Sequence, residues 1–118
     1  MKTENVIQTK SYQFALKITK LYFHIIKTKK EYHLSSQIAR SGTSIGSNIE
    51  EAIGAQSNKD FIAKLSISYK EARETHFRLR LYKDCGYLKE EEIEMLILDC
   101  EELLRIITAI LNTSKRKS

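Results

Sequence analysis

Apolar residues recur at helical spacing along almost the whole chain, and no proline interrupts them. In the first segment Phe14, Ile18 and Leu21 are three or four residues apart, which places them on one face of a helix. Because proline stops a helix and glycine weakens one, a 118-residue chain with no proline and four glycines is predicted to be all-α. Collagen-like, disordered and turn-rich all-β classes do not fit this pattern.

The pattern breaks at three places and so divides the chain into four rods. The predicted helices and the basic tail that follows them span about residues 5–31, 34–55, 58–85, 89–113 and 114–118. Helices of similar length joined by short turns pack as antiparallel neighbours. We therefore expect the whole chain, 1–118, to form a single domain, an antiparallel up-down-up-down four-helix bundle.

Local signals mark two of the turns. Ser57 precedes Asp60 by three residues, which is typical of a helix N-cap with an acidic first turn. Gly86 suits the left-handed residue that ends a helix, and Tyr87 and Leu88 can then fold back on the last turn.

Two glycines, Gly42 and Gly46, fall inside the second predicted helix. Each costs about 1 kcal/mol relative to alanine in a helix interior, so something must offset that cost. They do not follow a strand, which argues against a phosphate-binding loop. We expect instead that they let a neighbouring helix approach closely.

Helix bundles often hold carboxylate-bridged di-iron centres built on Glu-x-x-His motifs, but this chain has none. No glutamate stands three residues before His24, His33 or His76, and the fifteen-residue separation of Cys85 and Cys100 excludes a CxxC zinc site. We therefore predict no catalytic residue, no metal and no cofactor, and give His76 a structural role beside a bonded neighbour. An enzyme ranks last among the function classes.

The two cysteines also bear on the cellular compartment. A chain with its own apolar core needs no disulfide, so Cys85 and Cys100 are expected to be small packing residues in a reducing cytosol. The start of the sequence does not resemble a secretory signal, and no apolar run is long enough to span a bilayer. The expected location is the cytoplasm, without a membrane partner.

The charge balance favours acidic partners. The net charge is +5 and the sequence pI is 9.2, and the excess of basic residues lies on the first and third predicted helices. The residues predicted to contact a nucleic-acid backbone are Lys10, Lys17, Lys20, His24, Lys27, Lys59, Lys70, Arg73 and Arg80. Such contacts are independent of base sequence and sensitive to salt, and no base-reading motif is present. The alternative is that these stripes are only solvated.

The apolar surface exceeds what one bundle core needs. In helical projection each of the first and third helices carries a second apolar set away from its core face. These predicted interface residues are Tyr12, Leu16, Phe23, Ile67, Phe77 and Leu81. We expect a second copy of the chain to cover them.

The segment 37–52, QIARSGTSIGSNIEEA, resembles the signature Q-I-x-R-S-x-x-S-I-x-x-N-I-x-E of a known bacterial family. That family comprises four-helix bundle proteins related to the 23S ribosomal RNA intervening-sequence protein. The segments 57–61, 71–75 and 86–88 are similar to the family as well, so the resemblance extends over about residues 12–112.

This resemblance implies a ring-like homopentamer with a positively charged surface. The family also includes the accessory protein of diversity-generating retroelements, which implies RNA or DNA and a reverse transcriptase as partners. Some relatives carry an aromatic residue where this chain has Arg78, so the contacts there are expected to differ.

The signature residues also have a physical interpretation, in which they are structural, with direct ligand binding as the alternative. These residues are Arg40, Ser41, Ser44, Asn48 and Glu51. Arg40 and Glu51 are placed to pair with Glu74 or Arg73 of the third helix, and the other three offer hydrogen bonds at a tight helix–helix contact.

Together these observations favour a non-enzymatic homo-oligomer that binds RNA or DNA backbone, as an accessory to a nucleic-acid enzyme. The alternative is a protein-interaction scaffold that binds no nucleic acid, in which the apolar sets dock a partner protein and the charge only maintains solubility.

Overall fold

A computed structural model describes residues 3–117, and it contains four helices. They are α1 (Thr3–Thr28), α2 (His33–Ile53), α3 (Asn58–Asp84) and α4 (Glu90–Arg116). The helices form an elongated bundle measuring 47 × 23 × 20 Å. The predicted all-α antiparallel four-helix bundle is confirmed.

Each helix packs against the two helices next to it in a closed order: α1 on α2, α2 on α3, α3 on α4, and α4 on α1. Within residues 3–117, α1 does not contact α3 and α2 does not contact α4. Therefore α1 and α3 occupy diagonal corners, and side chains on their outer faces point to opposite sides of the bundle.

Two helix ends differ from the sequence expectation. α1 ends at Thr28 rather than near residue 31, because the N–H groups of Lys29 and Lys30 both bond to the Ile25 carbonyl and Lys30 then turns left-handed at φ 56°. α4 runs on to Arg116, so most of the predicted tail is helical. Ser114 is buried in the bundle, and the basic end of α4 suits the helix dipole. Met1, Lys2 and Ser118 lie outside the described residues.

The predicted start of α3 and the turn after it are confirmed. The Ser57 hydroxyl accepts a 3.0 Å hydrogen bond from the Asp60 N–H. Gly86 has φ +69°, the left-handed conformation that glycine adopts without strain. Tyr87 and Leu88 pack back against the core.

The two interior glycines of α2 allow α1 to lie close to it. A Cβ on Gly42 would stand 3.0 Å from Cγ2 of the buried Ile18, and one on Gly46 would stand 3.4 Å from the Ser11 carbonyl oxygen. The expectation of a close helix contact is confirmed, and the packing of α1 on α2 offsets the weak helix propensity.

The cysteines have different environments. Cys100 is fully buried in the core, as expected, but Cys85 is exposed and the expectation of a packing role is wrong there. Cys85 is the C-cap of α3 and lies beyond Tyr82, the last buried residue of that helix. None of the helices in the described part of the chain has a stretch long and apolar enough to span a membrane.

Candidate nucleic-acid interface

The basic stripe of α1 is partly neutralised by α4. The Lys10 ammonium lies 3.3 Å from a Glu102 carboxylate oxygen, and the Lys17 ammonium lies 2.9 Å from Asp99. The positive charges of both lysines are therefore partly neutralised by carboxylates of α4. They are weaker candidates for phosphate contact than their spacing in the sequence indicates.

The rest of that stripe lies toward the C-terminal end of α1. Lys20, His24 and Lys27 are exposed, and none of them forms an ion pair with any side chain of residues 6–117. Free positive charge on α1 is thus concentrated in its second half.

The stripe on α3 is exposed along the length of the helix. Lys59, Lys70, Arg73 and Arg80 form no ion pair within the described chain. The Arg80 guanidinium lies 5.9 Å from the centre of the Phe77 ring, which is within the range of a cation–π contact. Because α1 and α3 are diagonal, the structure does not join the two predicted stripes into one surface within a single chain.

Charge alternates around the bundle. α1 carries four lysines and one glutamate, α3 carries seven basic and four acidic residues, and α4 carries seven carboxylates and three basic residues. A polyanion would therefore be attracted to the α1 and α3 sides and repelled from the α4 side.

All six apolar residues predicted to lie at an interface are exposed, with accessible fractions from 43% to 68%. They form one row on α1 and another on α3, which we call the α1 row (Tyr12, Leu16, Phe23) and the α3 row (Ile67, Phe77, Leu81). Met95 and Leu98 of α4, which are not among the predicted interface residues, are 58% and 51% exposed. Each comes one or two residues after a buried residue of α4, so it lies off the core face of that helix. A helical projection of α4, like those of α1 and α3, would have identified both.

The sequence analysis also passed over Lys29, Lys30 and Tyr32, which lie in the turn between α1 and α2 and are all exposed. Their signal in the sequence is a break in the helical pattern that contains basic and aromatic residues instead of the usual glycine, serine or aspartate.

Comparison with known proteins identifies the family. The model of the family described as 23S rRNA-intervening sequence protein matches residues 3–109. The chain belongs to this family. A crystal structure of a protein with unknown function from the S23 ribosomal protein family of Bacteroides thetaiotaomicron VPI-5482 is similar to it, with 42% identity and a TM-score of 0.91. The similarity covers 94% of this chain and 99% of that one. No curated protein matches the sequence.

The signature arginine of this 23S rRNA-intervening sequence family member lies in a charge network between α2 and α3. Arg40 is 3.8 Å from Glu71 and 3.9 Å from Glu74, so the expected pairing with Glu74 is present. Arg78 lies 3.6 Å from Glu74 and donates a 3.4 Å hydrogen bond to the Gln37 carbonyl. The other oxygen of Glu71 is buried without a hydrogen-bond partner. This network supports a structural role for Arg40.

The expected pairing of Glu51 with Arg73 is wrong. Glu51 lies 3.8 Å from Lys64 instead. The two helices are antiparallel, so the C-terminal end of α2 meets the first half of α3, where Lys64 lies. Arg73 is further along α3, at the groove that α3 forms with α4.

The small polar signature residues divide into two kinds. The buried Ser41 hydroxyl lies 2.9 Å from the Thr75 hydroxyl of α3, so it does link two helices. The Ser44 hydroxyl and the Asn48 amide instead donate to carbonyls of α2 itself, at 2.7 and 2.8 Å. The expected helix–helix bonds of Ser44 and Asn48 are therefore absent from the described contacts.

The buried thiol of Cys100 is held in its protonated form. Burial, and then the charges of Glu101 and Asp99, raise the pKa of the Cys100 thiol to about 12, so it is no thiolate nucleophile at neutral pH. Its sulfur lies 3.3 Å from the Ala72 carbonyl oxygen. His76 bonds to Glu101 at 2.9 Å, which confirms its bonded structural position. Among residues 3–117 no cluster of three metal-ligating side chains occurs.

Proposed function

We propose that the protein is a non-enzymatic homo-oligomer that binds the backbone of RNA or DNA and assists a nucleic-acid enzyme such as a reverse transcriptase. One observation carries the nucleic-acid part: the exposed basic side chains of α1 and α3 that lack ion pairs among the described residues. They are Lys20, His24 and Lys27 of α1 and Lys59, Lys70, Arg73 and Arg80 of α3. Unpaired cations in rows suit phosphates, whose charge is spaced regularly along a strand.

The two apolar rows support self-association. They lie on diagonal helices, so one copy presents them on opposite sides. A contact of the α1 row of one copy with the α3 row of the next uses both rows, and repetition of such a head-to-tail contact forms a ring when the rotation from one copy to the next closes. The ring of five copies that the family resemblance implies is of this type.

A double charge reversal tests the nucleic-acid part. Lys20→Glu with Lys27→Glu changes two unpaired, exposed lysines and leaves the paired Lys10 and Lys17 intact. Fluorescence anisotropy with a labelled mixed-sequence RNA measures the affinity. If about four phosphates are contacted, the wild-type affinity falls about 50- to 150-fold between about 50 and 200 mM salt. The variant should bind at least about tenfold more weakly at the lower salt concentration.

The matched control reverses two lysines at the far end of α4, Lys115→Glu with Lys117→Glu, and so produces the same change in net charge. It should bind at close to the wild-type affinity. A wild-type affinity that does not depend on salt, or equal losses in the two double variants, would contradict backbone binding through α1.

The scaffold alternative is supported by a groove of about 360 Å³ between α2 and α3, whose walls include Leu34, Phe77 and Leu81. In that case a partner protein occupies the groove, and the purified protein retains no nucleic acid. Capture of one protein from nuclease-treated lysate, lost in a Leu34→Glu variant, would favour the scaffold.

A further inference from the structure

The turn between α1 and α2, residues 29–32, places unusual residue types at two positions where other residues are favoured. We call it the lysine turn, after Lys29 and Lys30. Lys30 has φ 56°, a left-handed conformation that costs a residue with a Cβ about 1–2 kcal/mol and that glycine adopts freely. The lysine side chain must therefore contribute something that glycine does not.

Tyr32 occupies the N-cap of α2 and makes no side-chain capping bond there. Serine, threonine, aspartate and asparagine are favoured at this position because their side chains accept a backbone N–H. The ring of Tyr32 is 58% exposed and has no aromatic contact with the rest of the described chain. Neither capping nor packing explains a tyrosine at this position.

Glu31 performs the capping instead. Its carboxylate accepts hydrogen bonds from the N–H groups of His33, Leu34 and Ser35 at 2.8 to 2.9 Å. The only acidic group of the turn is thus occupied, and the ammonium groups of Lys29 and Lys30 have no ion-pair partner within residues 3–117. The positive charge of the turn is uncompensated.

The lysine turn is also held in place. The Tyr87 hydroxyl donates a 3.4 Å hydrogen bond to the Lys29 carbonyl, and the Lys29 ammonium lies 5.9 Å from the centre of the Tyr87 ring. The exposed ring of Tyr32 and the ammonium of Lys30 are therefore presented from a fixed backbone, which lowers the entropy lost on binding.

We propose that the lysine turn binds an unpaired nucleotide of RNA or DNA, with the base stacked on the Tyr32 ring and the adjacent phosphate on Lys30. This rests on the proposed nucleic-acid binding and narrows it to single-stranded segments. An exposed ring beside unpaired cations is what recognition of single strands requires. A continuous duplex hides its base faces within the stack, so the ring gains nothing from it.

Two substitutions test this site, and each is expected to leave the fold at least as stable as before. Lys30→Gly removes both the ammonium and the backbone strain, and should raise the Tm by about 3 °C. Tyr32→Ser removes an exposed ring and leaves the Glu31 cap of α2 in place. A loss of binding in either variant then cannot come from unfolding.

The probes are a 20-nucleotide single-stranded RNA and the same RNA annealed to its complement. Tyr32→Ser should weaken binding of the single strand about tenfold, and binding of the duplex less than twofold. Lys30→Gly should weaken single-strand binding severalfold and reduce the slope of log K against log salt by about 0.7. Tyr32→Phe keeps the ring and should bind as the wild type does. Lys117→Gly, at the opposite end of the bundle, controls for loss of one positive charge.

The outcomes separate this site from the broader proposal. If both turn variants bind single strands with wild-type affinity while the Lys20→Glu, Lys27→Glu variant does not, the lysine turn is not a nucleotide site although backbone binding stands. Equal losses on single strand and duplex in Tyr32→Ser overturn the stacking role. If the wild type binds neither probe, both proposals fail together.

Discussion

Glu31 shows how one side chain can join two helices. Its carboxylate caps α2 through three backbone N–H groups and accepts a 3.3 Å hydrogen bond from the Tyr82 hydroxyl of α3. Partial burial raises the pKa of Glu31. The N–H groups of Leu34 and Ser35, then the Tyr82 hydroxyl and the His33 N–H, outweigh that effect and hold the pKa below its usual 4.5. The ionised form of Glu31 therefore stabilises the fold.

We predict that Glu31→Gln lowers the free energy of unfolding by about 1–2 kcal/mol at pH 7, because the amide offers one acceptor oxygen and no charge. Since the pKa is lower in the folded than in the unfolded chain, the contribution of Glu31 is present above pH 4.5 and disappears as the pH falls through its folded value. Urea unfolding at pH 7 and at pH 3 should show a smaller difference between variant and wild type at pH 3.

Tyr82→Phe is the matched control, since it removes one of the bonds to Glu31 and leaves the three backbone bonds in place. It should cost less than Glu31→Gln at neutral pH. If Glu31→Gln lowers the free energy of unfolding by the same amount at both pH values, the charge of this carboxylate does not contribute to stability.

The role of a residue at a helix end was predictable from sequence only where the chain has the residue type that is common at that position. Ser57 and Gly86 are such residues, and both were predicted correctly. Glu31, Lys30 and Tyr32 are not, because the capping carboxylate stands one position before the N-cap and the left-handed residue is not glycine. The unusual composition of the break between α1 and α2 is visible in the sequence, but it does not show which residue caps α2 and which turns left-handed.

At the scale of the helix, the close contact of α1 with α2 depends more on Gly42 than on Gly46, because a Cβ at position 42 would have less room. A Cβ at Gly42 would meet Ile18 side-chain atoms at 3.0 and 3.1 Å, whereas one at Gly46 would meet the Ser11 carbonyl oxygen at 3.4 Å. Ile18 is buried and surrounded by core residues, so it cannot move aside without disturbing them.

We predict that Gly42→Ala lowers the unfolding free energy by about 1–2 kcal/mol, since overpacking outweighs the gain of about 1 kcal/mol in helix propensity. Gly46→Ala should raise the unfolding free energy by about 0.5–1 kcal/mol, because a similar gain in helix propensity there meets only ordinary van der Waals contact. Urea midpoints at a constant m-value measure both. If Gly42→Ala is as stable as the wild type, the interhelix distance is set by other residues.

The four helices were predictable because each has an apolar face that only a helix can bury. Their ends were less predictable: no proline or glycine marks the end of α1 in the sequence, but the backbone leaves the helix at Lys30. Conversely, a basic segment was expected to be a tail, yet Ser114 gives the end of α4 a buried anchor.

For the whole molecule, the positions of the basic residues along α1 and α3 were predictable from sequence. Which of them are neutralised by carboxylates of another helix was not. Whether Lys10 and Lys17 are neutralised depends on α4 lying beside α1 in a register that brings Glu102 and Asp99 opposite them. Helical spacing within α1 contains no information about that register. The exposure of the two apolar rows was easier to predict, because the helical projection gives the angle between each residue and the core face of its own helix.

The diagonal placement of the two apolar rows leads to a prediction about assembly. If the α1 row of one copy packs on the α3 row of the next, a charge in either row prevents the chain from associating with itself. Each row contains one exposed phenylalanine, Phe23 or Phe77, so Phe23→Glu and Phe77→Glu should each be monomeric but folded. Sedimentation velocity measures the assembly, and circular dichroism checks the helices.

Mixing the two variants distinguishes head-to-tail association from the symmetric kind. The Phe23→Glu chain keeps its α3 row and the Phe77→Glu chain keeps its α1 row, so an equimolar mixture retains one complete contact and should form a heterodimer that cannot grow further. If like rows paired instead, one of the variants would dimerise alone and mixing would add nothing. Met95→Glu places the same charge on α4, outside both rows, and should assemble as the wild type does. A wild-type protein that sediments as a monomer at about 100 μM, far above the Kd of ordinary specific interfaces, would show that neither row binds a second copy.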